Sequence, residues 1–169
     1  TISNTVTLAK SDPRIGVSAD EWDSDPLALN TPIGMVDLRS GHITASDSSQ
    51  LVTKLTAVAP AQGDCPRWMS FLAEVFPPEH FPDQREIQQF IQMLCGYILT
   101  GCTREQKLFF FYGTGSNGKS VLLELLLWIM GDYALKLSSS ALMKTFITHH
   151  PTELAQLQGI RLAASSELE

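Results

Sequence analysis

Between positions 113 and 120 the sequence reads Gly113-Thr114-Gly115-Ser116-Asn117-Gly118-Lys119-Ser120. The spacing is GxxxxGK[ST], the pattern of a phosphate-binding loop. Each position has a chemical reason. A triphosphate needs several donors converging on its oxygens. A loop that runs into a helix N-terminus points backbone N–H groups inward and adds the positive end of the helix dipole. Glycines permit the φ values and the close approach of backbone to phosphate. Lys119 can reach the β- and γ-phosphates as a point charge, and Ser120 can place a hydroxyl on Mg²⁺. The chemistry expected of these eight residues is binding of ATP with Mg²⁺. A chance match would turn up in roughly one in a few hundred chains of this length.

Hydrolysis needs a second element, an acid at the end of a neighbouring strand that holds the Mg²⁺ shell and polarises the attacking water. Leu162-Ala163-Ala164-Ser165-Ser166-Glu167 has that shape. Glu167 would sit just past the carboxyl edge of a strand, where ligands bind in open α/β sheets. Lys119 and Glu167 are the expected catalytic pair, Ser120 and Glu167 the expected metal ligands, with Glu169 close behind as an alternative acid. Alone, a carboxylate closing an apolar run is a solvated charge; the loop upstream reverses that reading.

Other candidates carry less. His149 and His150 are adjacent, so they point apart on a helix or strand, and no further ligand has suitable spacing for zinc. The cluster Asp20-Glu21-Trp22-Asp23-Ser24-Asp25 reads as a solvated loop. Cys65, Cys95 and Cys102 cannot all pair and form no CxxC, which fits reduced thiols, with Cys95 and Cys102 buried as apolar side chains. Arg104 and Lys107 could neighbour a nucleotide or equally face solvent.

The loop must be held from both sides. Lys107-Leu108-Phe109-Phe110-Phe111-Tyr112 predicts a buried strand before it. Val121 to Met130, apolar nearly all round and stopped by Gly131, predicts a buried helix after it. Leu135-Lys136-Leu137 and Ile160–Ala164 predict further strands, and Pro151–Leu157 a short helix. Strand, loop, helix, strand is the start of a parallel sheet. Upstream, Trp68, Phe71, Leu72, Val75 and Phe76 recur at helical spacing between Pro66 and Pro77-Pro78. A second helix follows, with Asp83 and Glu86 as a capping pair, Ile87, Phe90, Ile91, Leu94 and Ile98 as its stripe, and Gly101 as its closer. Further upstream, Ile33–Gly41 reads as a short strand or hairpin edge with turns at Pro32-Ile33-Gly34 and Ser40-Gly41. The expected organisation is an N-terminal segment over 1–63, a helical subdomain over 64–106 and the start of a nucleotide-binding domain over 107–169. The expected fold class is α/β: a partial P-loop parallel sheet, preceded by a small mainly helical domain and an irregular or β-containing N-terminal segment.

Composition sets outer bounds. The chain has 169 residues, 44% of them apolar, and a formal net charge of −6. That apolar fraction excludes a disordered tail. An acidic chain does not grip duplex DNA by bulk charge. The longest apolar run is about ten residues, too short to span a bilayer, and no signal peptide is visible, so no membrane partner is expected. The sequence lacks a starting Met and stops on Glu169, and we read it as a piece of a longer protein.

Several blocks together resemble a known family. Asn30-Thr31-Pro32-Ile33-Gly34-Met35-Val36-Asp37-Leu38-Arg39-Ser40-Gly41 resembles the NTPNGVVDLRTG stretch of phage and plasmid primase-helicases, relatives of the poxvirus primase-ATPase. Cys65-Pro66-Arg67-Trp68, Leu94–Gly101, Arg104–Lys107, the GxGxNGKS form of the loop and Leu154–Leu162 leading to Glu167 resemble its later blocks in the same order. Ile33 stands where the family often has Asn, and Ile160 where Lys is common. The resemblance implies a superfamily 3 helicase, an AAA+-type hexameric motor that uses ATP and Mg²⁺ to unwind DNA during replication of a phage, plasmid or virus. Gly113–Ser120 then form Walker A and Glu167 the Walker B acid, and the short interval from Lys119 to Glu167 suits superfamily 3. It further implies DNA contacted through segments missing here, a primase domain as partner, and the cytoplasm of a bacterial host or infected cell. The family's later elements lie beyond the Walker B acid, so this piece alone is expected to be inactive.

Two other functions compete. One is an oligomerisation or partner-docking module built on the tandem helices, without activity of its own. The other is a P-loop phosphotransferase, which would need a lid with arginines after the loop helix; no Arg occurs between Ser120 and Arg161.

Overall fold

The computed structural model describes residues 2–12, 16–113, 115, 117–138 and 155–166. Helix α1 (Ile2–Ser11) is exposed along nearly its whole length. Strands β1 (Ala28–Thr31) and β2 (Gly34–Asp37) form an antiparallel hairpin with Thr31 opposite Gly34, so Pro32-Ile33 is a two-residue turn, as its residues predict. Thr31 Oγ1 donates to Gly34 O at 2.7 Å and locks that turn. Strand β3 (Ile43–Thr44) adds antiparallel to β2. Gly34 has φ 132°, and a Cβ there would run into Thr44 O, so the close crossing of β3 requires glycine. In the turn after β2, Arg39 forks onto Asp25 with bonds of 3.0 and 2.9 Å. The N-terminal segment therefore carries a small antiparallel sheet, and helix α1 before it departs from the expected irregular or β-containing reading.

Helix α2 (Pro66–Val75) starts on proline and stops before Pro77-Pro78, where no further N–H is available to extend it. Helix α3 (Gln84–Leu99) is capped by the Asp83 carboxylate, which accepts from Glu86 N at 2.9 Å. Its end departs from expectation. Thr100, not Gly101, closes α3, its hydroxyl donating to Tyr97 O at 2.8 Å. Gly101 instead donates its N–H to Pro26 O at 2.7 Å, and a Cβ there would press on Pro26 at 3.2 Å.

Helix α4 (Lys119–Met130) follows the glycine loop. It is buried on one face only: Leu122, Leu126 and Met130 point inward at four-residue spacing, while Val121 and Trp128 are each 60% exposed. The expectation of burial all round is corrected, because α4 puts one face into the core cluster and leaves Val121 and Trp128 bare on the other. Its end meets the 55–57 segment at close quarters. Ala57 N donates to Ile129 O at 3.1 Å and Asp132 N to Leu55 O at 3.0 Å. Gly131 has φ 54°, and a Cβ there would lie 2.7 Å from both Ala57 N and Leu55 O. One core cluster joins Leu29 and Val36 of the hairpin, Leu72 of α2, Ile91, Leu94 and Ile98 of α3, and Leu122, Leu126 and Met130 of α4.

Strands β4 (Ala134–Lys136) and β5 (Leu162–Ala164) pair in parallel, Ala134 opposite Leu162 and Lys136 opposite Ala164. Helix α4 packs against both. The fold is thus mixed helix and sheet with a parallel pair at the expected place. The predicted buried strand at Lys107–Tyr112 is corrected: among the described residues it pairs with no strand, and Leu108 and Tyr112 are 81% and 83% exposed. β4 and β5 take each other as partners, and aromatic β-propensity without a neighbouring edge does not make a strand. Of the predicted helix at 151–157, residues 151–154 lie outside the described residues, and 155–159 form a turn with Ile160 N donating to Leu157 O at 3.1 Å.

Arg161, just before β5, ties these parts together. Its Nη1 donates to Leu99 O at the end of α3 and its Nη2 to Ala28 O of β1. Its guanidinium carbon lies 4.4 Å from the centre of the Tyr133 ring, and its N–H donates to Tyr133 O at 2.8 Å. Tyr133 is 1% exposed, and its hydroxyl oxygen accepts from Asn30 N at 3.1 Å.

We expect Arg161→Ala to lower the unfolding free energy by about 2–4 kcal/mol in urea titration, since two carbonyls lose a charged donor and an aromatic face loses its cation. Arg161→Lys should recover only part, because one ammonium cannot fork across both carbonyls. A second expectation concerns Asp25, whose carboxyl is held below its ordinary range chiefly by the hydrogen bond from Arg39. A depressed folded-state value stabilises above the unfolded carboxyl range and is lost as pH falls through the folded one. The melting-temperature advantage of the natural chain over Asp25→Asn should therefore be full at pH 7, shrink as pH falls through the ordinary carboxyl range, and vanish only below the depressed folded-state value.

Candidate functional site

The loop between Gly113 and α4 is built on two glycines whose conformations no other residue adopts freely. Gly118, the N-cap of α4, has φ 79° and ψ −3°. A Cβ at Gly118 would overlap Val75 Cγ2 and touch the Phe71 ring at 3.4 Å. The close approach that fixes this glycine is therefore to α2, the helix behind the loop. Gly113 has φ 149°, and a Cβ there would come 2.6 Å from Asn117 Nδ2. At Gly115 a Cβ would meet nothing within 4 Å.

A glycine N-cap carries no side chain to satisfy the first-turn N–H groups, and α4 has no side-chain cap. Leu122 N donates to Gly118 O at 2.9 Å and starts the helical ladder. Lys119, the first residue of α4, does not extend into solvent. Its Nζ reaches back across the loop, donating to Asn117 Oδ1 at 2.6 Å and to Gly113 O at 3.1 Å. The ammonium thus lies over the span that the motif assigns to phosphate. Ser120 is exposed on the first turn of α4. A helix N-terminus without a side-chain cap, an ammonium folded back across the loop and an adjacent hydroxyl are a donor set suited to an anion with a divalent cation.

Gly113, Gly115, Asn117, Gly118, Lys119 and Ser120 are brought together in this loop, while Thr114, Ser116, Glu167 and Glu169 lie outside the described residues, as do His149 and His150. β5 ends at Ala164, and Ser165 Oγ beyond it is buried with no hydrogen-bond partner. The acidic 20–25 cluster uses its oxygens internally: Asp25 on Arg39, Asp23 on Thr53 N and Oγ1, Glu21 on Ser18 N. Among the described residues no group of three or more His, Cys, Asp or Glu side chains could hold a metal, and no helix is long and apolar enough to cross a membrane. Cys95 and Cys102 are half-buried, and burial pushes the Cys95 thiol up from its ordinary value.

Sequence reasoning did not single out the residues behind the loop. Val75 and Phe71 were legible as stripe residues of a helix, but nothing in their spacing said that a glycine of the loop would rest on them. Gly118→Ala should cost about 2 kcal/mol through strained φ and the clash with Val75. The double variant with Val75→Ala should relieve the steric share and leave the φ share, giving a coupling of about 1 kcal/mol in a double-mutant cycle of chemical denaturation.

The model of a family described as D5 N terminal like matches residues 1–77, from α1 to just past α2. No curated protein matches the chain. The matched stretch contains the hairpin whose sequence resembles that of phage and plasmid primase-helicases.

Proposed function

We propose that this chain carries the ATP-binding and hydrolysing part of a DNA helicase of the primase-helicase kind. The observation that carries the reading is the loop itself: Lys119 folded back to Gly113 O over an uncapped helix N-terminus whose N-cap glycine is fixed from behind by α2. The match over residues 1–77 supports the family from an independent part of the chain. In this reading the donors of the loop from Gly113 to Ser120 would hold the phosphates, Lys119 would neutralise their charge, and the Ser120 hydroxyl would hold Mg²⁺. Mg²⁺ supplies charge compensation between the phosphates. Glu167, two residues past Ser165, is the acid that orients the attacking water, and Glu169 is its neighbour. DNA, a primase domain and a hexameric ring of copies are the partners of the whole machine. The net charge of −6 argues that the DNA contact is made by elements other than those described.

Equilibrium binding of Mg²⁺-ATP to this chain and to Lys119→Ala tests the reading. Micromolar binding weakened at least about tenfold by the substitution is expected, since a charged phosphate contact is lost. Absence of binding by both proteins would overturn it, and a docking module without activity would become the account of this chain.

A further inference from the structure

Asn117 is the loop residue whose placement the phosphate chemistry alone does not explain. Its side-chain oxygen accepts from the Lys119 ammonium at 2.6 Å, against 3.1 Å for Gly113 O. Its Nδ2 occupies the space that only a glycine leaves free at position 113. The amide is thus wedged between the first glycine of the loop and the lysine, and both of its ends are placed. A lysine ammonium has three N–H donors and no acceptor capacity. Phosphate oxygens therefore compete with the acceptors Lys119 already has.

We infer that Asn117 is a latch on Lys119: its side-chain carbonyl holds the ammonium across the loop and competes with the phosphates of a nucleoside triphosphate for it. The inference rests on reading 113–120 as a phosphate loop. The bond is charge-assisted and part-buried, so it is stronger than an ordinary surface contact. A neutral carbonyl still loses to an anionic phosphate oxygen, so the latch tunes affinity without blocking the site. Asparagine suits the role: alanine would leave the ammonium to its remaining partners, and aspartate would hold it by a full charge while repelling phosphate.

Nucleotide affinity and lysine reactivity test this together. Asn117→Ala should bind Mg²⁺-ATP roughly three- to tenfold more tightly, the ratio set by one net hydrogen bond, and Asn117→Asp more than about tenfold more weakly. Equal or weaker binding by Asn117→Ala would overturn the latch and make Asn117 a phosphate ligand or a bystander. The rate of Lys119 acetylation by acetic anhydride without nucleotide, read by mass spectrometry against the exposed Lys10, should rise about threefold in Asn117→Ala as the ammonium is released. An unchanged rate would overturn it equally. If neither the natural chain nor Lys119→Ala binds ATP, the phosphate reading fails and the competition fails with it, while the acetylation rate still reports whether Asn117 holds the lysine.

Discussion

One guanidinium carries the junction of this fold. Arg161 lies where the end of α3, the outer strand of the hairpin and the first residue of the parallel pair converge, and it offers a donor to the first two and a stacking face to Tyr133 beside the third. Leu99 O belongs to the last turn of α3, whose carbonyls have no partner within the helix. Ala28 O belongs to a strand edge. Both would be left wanting in the interior without an outside donor. Burial pushes the Arg161 value down, yet a guanidinium keeps its charge in proteins, and its fork meets two acceptors in fixed directions. The segment matched by the family model, the helical pair and the strand that leads to Glu167 are thereby held at one point.

The glycine loop hangs on the same core by a different device. Gly118 rests on Val75 and Phe71, and Gly131, at the other end of α4, rests on the backbone of 55–57. Both ends of the helix carry a glycine in the left-handed region of φ, each allowing another segment to come close. Helix α4 is clamped at its ends and packed by Leu122, Leu126 and Met130 along one face. Its N-terminal amides are consequently positioned by packing of α2, and Lys119 is positioned by the first turn of α4. The glycine loop is thus anchored on the packed core through Val75, Phe71 and the first turn of α4.

Much of this was legible from residue types. Pro66, Pro77-Pro78 and Asp83 mark the bounds of α2 and α3 because proline and capping carboxylates act locally. The Pro32-Ile33 turn was legible for the same reason. The loop motif was legible because its spacing encodes a backbone path. What was not legible depends on distant partners. Gly101 looks like a helix closer, yet its neighbour is Pro26, which no local pattern predicts. The run at 107–112 has strand composition, but a strand exists only where another edge meets it. Arg161 had no signal beyond being a charge beside an apolar run. The coverage of α4 was misjudged because its composition, apolar on nearly every side, says nothing of how many neighbours it has.

The 107–112 run has a colloidal consequence. Leu108, Phe110 and Tyr112 are the more exposed residues and Phe109 and Phe111 the less exposed, the alternation of an extended segment, with Phe110 and Tyr112 stacked at 6.4 Å on one side. The run contains one charge, Lys107, and neither glycine nor proline. Six-residue segments of that composition with open backbone edges assemble in register into dry, interdigitated stacks. The chain's net charge of −6, spread over its whole surface, does little against an attraction confined to so small a patch. These six residues form an exposed segment of that kind, and a further lysine or a proline placed among them would act as a gatekeeper against such stacking.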